Sequence, residues 1–313
     1  MYEITKEIAR AGISVCLLQE VRYRGSGSRR ISLDTGEEYD FVWSGPKFKR
    51  EAGVAFLVKV DKEIYIEDPD VQDPRIIAAN ATIYGFNIRL VNAYSPTNTN
   101  GTSFQKDLFY GKLQKACKKD KTHKLIVGGD FNAISSVVHK QTCFDGRNFI
   151  EDEECNDNGN RIKSFCRAKA LCMLQSYFDY PLEERFTWYS NDGFTKHVLD
   201  YILAESFVQQ YAEDCNVLPN LEINTDHKLL TAYFNTPKTK KARWKPKNLN
   251  KLCQPKNLEA LKDINIQNSF LQKISNQQMS YGEEHNVNQH LKKHCLSSRK
   301  SSSRINSSQG NQF

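Results

Sequence analysis

Along the first 234 residues the chain repeatedly runs apolar for about one strand's length and then stops on a polar side chain. Such runs, separated by segments with helical periodicity, restrict the fold to layers of sheet and helix. The pattern predicts strands over 39–43, 53–60, 75–84 and 87–94, then over 124–127, 185–189, 198–203 and 228–234. Helices are expected over 103–117 and 159–171. Ahead of them, Ile4, Ile8 and Ala11 mark an apolar helical face that Gly12 ends, and a further strand follows over 13–18. No internal repeat of solenoid length is present.

The residues at the strand ends carry the chemistry. Leu17-Leu18-Gln19-Glu20 ends on a carboxylate, and Asn92-Ala93-Tyr94-Ser95-Pro96 ends on a phenol followed by a chain-turning proline. After the strand at 124–127 comes Gly128-Gly129-Asp130-Phe131-Asn132-Ala133, where a carboxylate and a carboxamide two positions apart leave the same face. That pair suits a water molecule that has to be deprotonated and aimed. Asp200 sits inside Val198-Leu199-Asp200-Tyr201-Ile202-Leu203, and a carboxylate among apolar strand residues must find a partner or a function. Thr225-Asp226-His227 precedes the last strand. Taken singly, each has an ordinary reading: an Asx turn, a rim charge, a packing tyrosine, a surface histidine.

In this order the segments resemble the endonuclease/exonuclease/phosphatase superfamily, and within it the apurinic-like endonuclease domain of non-LTR, RTE-type retrotransposons and their host relatives. The resemblance covers roughly residues 1–235. It implies an α/β four-layer αββα sandwich of two mixed sheets. It also implies phosphodiester hydrolysis, DNA as partner, and Mg²⁺, with Mn²⁺ able to substitute. Glu20 would be the main metal ligand, and Asp226 a second metal ligand or outer carboxylate. Asp130 would take or orient the proton of the attacking water, and Asn132 would donate to that water or to a phosphate oxygen. Tyr94 would supply a neutral donor. His227 would meet the phosphate as imidazolium while Asp200 accepts its other N–H. Thr187 and Trp188 match a strand beside the site.

Members of the superfamily begin with a strand that carries an active-site asparagine, whereas this sequence starts in the helix after it. That departure predicts a sheet lacking its first strand and a site short of one member. A fragment, a pseudogenised copy and a host protein with lapsed activity are the three readings it allows.

Charge is unevenly placed. Residues 238–313 hold 15 Lys and Arg against 4 Asp and Glu, so the +7 of the chain divides into +11 there and −4 over residues 1–237. A division into a domain over 1–237 and a basic connector with a mostly disordered tail over 238–313 follows. Trp244 within the basic run suits stacking on a base, Lys196 in the predicted hairpin 190–197 suits a phosphate, and Arg161 lies at a loop-to-helix junction where related enzymes approach DNA. The nine cysteines form no C-x-x-C pair, and neither a signal-peptide core nor a spanning apolar run is present. A nuclear or cytoplasmic setting, without membrane or obligate protein partner, is the expectation.

Three functions remain at this point: a metal-dependent DNA endonuclease, an inactive nucleic-acid-binding descendant, and a phosphodiesterase or phosphatase acting on RNA, lipid or inositol phosphates.

Overall fold

Val54-Ala55-Phe56-Leu57-Val58 presents apolar side chains in both directions, and all five are buried. Such a strand needs cover on both faces, and the architecture supplies it. The computed structural model describes residues 1–48, 51–135, 155–218 and 221–235. In order these form α1 (Tyr2–Arg10), β1 (Val15–Gln19), β2 (Ser26–Ser32), β3 (Glu38–Ser44), β4 (Val54–Lys59), β5 (Ile64–Ile66), β6 (Val71–Asp73), β7 (Ile76–Ile83) and β8 (Phe86–Tyr94). Next come α2 (Ser103–Ala116), β9 (Lys124–Asp130), α3 (Asp157–Lys169) and β10 (Leu171–Met173). The remainder are β11 (Trp188–Tyr189), β12 (Lys196–His197), β13 (Asp200–Glu205), α4 (Ser206–Gln209), β14 (Ala212–Leu218) and β15 (Leu229–Phe234).

One sheet has the order β1-β4-β3-β2 and is antiparallel throughout. The larger sheet runs β10-β13-β9-β8-β7-β5, with β6 also on β7, and is mixed because β8 and β9 are parallel. Of the two expected sheets, then, only the larger is mixed. β1 stands at the edge of its sheet, and β14 pairs with β15 as a separate antiparallel ribbon.

Period-two alternation sorts the side chains into three apolar layers. Ala55 and Leu57 of β4 join Ile8 of α1 on the outer face of the smaller sheet. Val54, Phe56 and Val58 face Ile77, Ala79, Ile88 and Leu90 between the two sheets. Ile76, Ala78, Val91, Leu125 and Val127 leave the larger sheet's other face and meet Phe109 and Leu113 of α2 and Ile162 and Phe165 of α3. The result is helix, sheet, sheet, helix.

Two polar residues sit in this apolar stack. Arg89, on the helix face of β8 and 2% exposed, donates from Nε to the carbonyl of Ala116 at the end of α2 (2.9 Å) and pairs with Asp70 (2.8 Å). Asn92, fully buried on the opposite face, donates from Nδ2 to the carbonyls of Leu18 and Ala55, both at 2.9 Å, and accepts from Gln19 Nε2 at 2.6 Å. It thereby ties β8 of one sheet to β1 and β4 of the other.

The predicted helices and the strands over 39–43, 53–60, 75–84, 87–94, 124–127, 198–203 and 228–234 are present within a few residues. The stretch expected as a strand over 185–189 is shorter: a 3₁₀ turn covers Leu182–Glu184, and only Trp188–Tyr189 pairs, with Lys196–His197. Trp244, the basic run and the tail over 238–313 lie outside the described residues.

Candidate functional site

Register brings the strand-end residues together. Tyr94 is paired with Asp130 across the parallel β8–β9 junction, and Asp130 with Asp200 across the antiparallel β9–β13 junction. Tyr94, Asp130 and Asp200 therefore form one row across the strand ends of the larger sheet, on the face turned toward the smaller one. Close approach of strands within the row depends on Gly129, whose φ is +145° and whose added Cβ would stand 1.9 Å from the carbonyl oxygen of Ala93. Gly128 does the same between sheets, with Leu17 of β1 2.5 Å from the position of a Cβ.

Glu20 follows β1 in the smaller sheet with left-handed backbone, φ +52°. That turn carries its carboxylate to the row, where Oε1 accepts from the Tyr94 hydroxyl and Oε2 from Arg22 (2.9 Å). Partial burial raises the Glu20 carboxyl, but the hydrogen bonds from Tyr94 and Arg22 outweigh it and hold the group below its ordinary value. Burial, and then the bond to Glu20, push the Tyr94 phenol far above its ordinary value, so it stays a neutral donor. Behind it the Arg75 guanidinium lies 4.7 Å from the Tyr94 ring centre and donates to the carbonyls of Tyr94 and Ser95. Sequence reasoning did not single out Arg75, because only register places it there.

Asp130 is 6% exposed. Burial and the neighbouring Asp200 charge raise its carboxyl well above the usual carboxylate range, with His227 pulling the other way. Asn132 is left-handed, φ +48°, and wraps onto Asp130: its backbone N–H donates to Oδ1 (2.8 Å), and its carboxamide donates to Oδ2 (3.2 Å) and to the Ser95 carbonyl (3.1 Å). Non-glycine residues in this region carry a penalty that Asn bears more easily than most.

His227 Nδ1 lies 2.9 Å from Asp200 Oδ2. Burial depresses the imidazole, but the hydrogen bond and charge of Asp200, helped by Asp130 and Asp226, carry it up to about 9. At neutral pH the ring is an imidazolium. Asp200 is itself held from behind: Thr187 Oγ1 accepts from the backbone N–H of Leu199 (3.0 Å) and of Asp200 (3.1 Å), and Gln175 donates to the Asp200 carbonyl (3.0 Å). Asp226 accepts from the indole N–H of Trp188 at 2.9 Å, and Trp188 also bridges to His227 in β fashion. Thr187 and Trp188 thus act on the row through hydrogen bonds as well as packing.

The two cations expected to face a nucleic acid are otherwise engaged. Lys196 is in the β11–β12 ribbon, as predicted, but its ammonium pairs with Glu183 and lies 5.0 Å from the Phe186 ring centre. Arg161 pairs with Asp107 and with Asp157 (3.1 Å) and donates to Ser103. The loop-to-helix junction there is a capped start: Asn156 Oδ1 accepts from the Gly159 N–H at 2.7 Å.

Among the described residues no three His, Cys, Asp or Glu side chains form a ready metal cage. A hard cation such as Mg²⁺ needs less, one or two carboxylates with several waters retained. Glu20, whose side chain is 48% exposed beside the row, offers oxygen donors of that kind, and so does Asp226. The donor set fits.

A helix–sheet–sheet–helix stack with carboxylates, a phenol and an imidazolium at one end of its sheets is the form of a two-sheet hydrolase. A sequence profile of the Endonuclease/Exonuclease/phosphatase family matches residues 3–217, and the chain belongs to that family. Craniofacial development protein 2 of Bos taurus is 26% identical over 236 residues, which are 74% of this chain and 38% of the relative. The Tragulus javanicus protein of the same name is 25% identical, with 39% of its length matched. The chain spans about two fifths of the length of these relatives. Among solved structures, AP endonuclease LMAP from Leishmania major aligns with a TM-score of 0.54 at 14% identity over 75% of this chain and 82% of its own. The endonuclease domain of TRAS1, a telomere-specific non-LTR retrotransposon, aligns at 0.51 and 16% over 74% and 90%. These likenesses establish the fold. No helix among the described residues is long and apolar enough to cross a membrane.

Proposed function

We propose that the chain is a DNA endonuclease of retrotransposon origin that hydrolyses a phosphodiester bond and leaves a nick, with Mg²⁺ as its cation and Mn²⁺ able to substitute. One observation carries the reading: Tyr94, Asp130 and Asp200 stand in one row, with Glu20 bonded to one end and His227 to the other. The likeness to the TRAS1 endonuclease domain supports DNA as the substrate and a retrotransposon origin. A further neighbour, a 3′ phosphatase from Neisseria bound to a product DNA hairpin, also supports DNA. The working unit is residues 1–237, acting in the nucleus or cytoplasm.

Glu20 and Asp226 would hold the cation, which when bound would neutralise charge on the scissile phosphate. The His227 imidazolium, kept charged and aimed by Asp200, donates to a non-bridging phosphate oxygen. Asp130, a base poised near neutrality by its burial, takes the proton of the attacking water. Asn132 orients that water or the phosphate with its carboxamide once DNA displaces the bond to Asp130. Tyr94, neutral and hydrogen-bonded to Glu20, donates to the developing charge. The pairing of buried Asp130 with half-buried Asp200 explains why His227 is needed close by: two carboxylates in adjacent strands demand a cation.

Supercoiled-plasmid nicking with Mg²⁺ tests the reading. Nicking is expected from the unaltered chain, abolished by EDTA and lost in Asp130→Ala and in His227→Ala. Nicking that survives both substitutions would discard the site assignment. Folded protein that binds DNA and never cuts it would make the chain an inactive descendant.

A further inference from the structure

A buried cation lies near this site and takes no part in the mechanism above. Lys106, on the inner face of α2, has a side chain only 5% exposed. Its ammonium donates to Asn98 Oδ1 and to Asp157 Oδ2, each at 3.0 Å. The Asn98 carboxamide in turn donates from Nδ2 to the backbone carbonyl of Asn132 at 2.6 Å. Two further carboxamides converge on the same oxygen, Asn156 Nδ2 at 3.2 Å and Asn158 Nδ2 at 3.3 Å. Asn158, fully buried, also donates to the Pro96 carbonyl at 2.8 Å, and its backbone N–H reaches Asn98 Oδ1 at 3.3 Å.

A carbonyl oxygen has two lone pairs, and three side-chain donors on one such oxygen is more than satisfaction requires. The residue so gripped is the one whose backbone is left-handed and whose carboxamide lies against Asp130. Released, that backbone would relax to negative φ and swing the carboxamide away from the carboxylate. Lys106 strengthens the shortest of the three bonds, because a cation on the oxygen of a carboxamide makes its N–H groups better donors. Burying an ammonium is unfavourable unless it is paired, and Asp157 supplies the pair while Arg161 holds Asp157 from its exposed side.

We infer that Asn98, one hydrogen bond from Asn132, and Lys106, two hydrogen bonds from it, are positioning residues that set the Asn132 carboxamide against Asp130. The inference deepens the nuclease reading and rests on it only for the reaction that Asn132 serves.

The test uses the full chain with ¹⁵N-labelled asparagine, in which the Asn132 carboxamide is assigned by its disappearance in Asn132→Ala. Lys106→Met keeps the length of the side chain and removes the charge. It is expected to shift both Asn132 carboxamide resonances and to lower plasmid-nicking kcat by a factor on the order of 10 to 100. KM should stay within roughly twofold, because the network touches no substrate. Lys106→Arg should restore most of the rate. In an Asn132→Ala background, Lys106→Met should produce no further loss. Asn98→Ala provides a second, uncharged break of the same arm should Lys106→Met fail to fold. Unmoved Asn132 resonances in a folded variant overturn the inference. Resonances that shift in a chain that never nicks DNA uphold the positioning and instead refute the nuclease reading.

Discussion

Two adjacent glycines in β9 should respond very differently to the same methyl group. At Gly129 the backbone sits at φ +145°, where an L side chain is strained by about 1–3 kcal/mol. The new Cβ would also stand 1.9 Å from the Ala93 carbonyl oxygen, which belongs to the neighbouring strand and cannot rotate away. Spreading β8 from β9 adds about 1–3 kcal/mol by analogy with overpacked cores, so Gly129→Ala should destabilise by about 4 kcal/mol. At Gly128 the backbone is unstrained, and the nearest atom is Leu17 Cδ1 at 2.5 Å, with Leu17 Cγ and the Tyr201 carbonyl no closer than 3.8 Å. A rotation of Leu17 relieves the contact at about 1–2 kcal/mol. Urea unfolding followed by circular dichroism measures both. At roughly 2–4 °C per kcal/mol for a domain of this size, melting temperatures should fall by about 10 °C and about 4 °C respectively. Gly129→Ala should also lower nicking beyond its stability loss, since Ala93 precedes Tyr94 and the wedge falls within the row. Equal stability of the two variants, within about 0.5 kcal/mol, would refute the reasoning.

Further expectations concern charge. His227, raised from 6.5 to about 9, contributes stability that is full below pH 6.5 and disappears as pH rises through 9. The ceiling is about 3 kcal/mol, lowered because 30% of the side chain is exposed; the stability gap between the chain and His227→Gln, measured from pH 6 to pH 10, should close over that window. Asp200→Asn should bring the His227 titration, followed by its ring-proton NMR signal, to 6.5 or below; a midpoint still near 9 would show that Asp200 is not its main support. Asp70→Ala should destabilise by about 2 kcal/mol although Asp70 is 61% exposed, because it takes the carboxylate from the buried Arg89 guanidinium and leaves it only the oxygens of Ala116 and Asn80; a loss under about 0.5 kcal/mol in denaturant titration would count against that.

What the sequence made legible was set by burial. Asp200 declared itself because its neighbours are apolar, and Glu20, Tyr94 and Asp130 because each stands where an apolar run stops. β2 was invisible for the opposite reason: in Ser26–Ser32 only Ile31 is buried, so an edge strand exposed on both faces reads as a polar loop. β5, β6 and β10 have three residues each, too few for a period to register. At the site, Arg75, Gln175, Asn98 and Lys106 gain their roles from partners far along the chain, which no local pattern encodes. The same blindness made Lys196 and Arg161 look available for DNA. Their carboxylate partners Glu183 and Asp107 lie 13 and 54 residues away, and only Asp157, four residues before Arg161, was within reach of a local pattern.

The carboxamide of Asn92 has a consequence for how such a chain can change. It is buried between the sheets and bonded to Leu18, Ala55 and Gln19. Sliding one sheet against the other by one residue would break these three hydrogen bonds at once and leave the buried Asn92 carboxamide unmatched. Glu20, which comes from one sheet, and Tyr94, which comes from the other, meet only in the aligned position. The halves of the domain are therefore not interchangeable parts. A chimera that takes its first 60 residues from a relative should assemble a site only if Gln19 and Asn92, or another matched pair, come together across the seam.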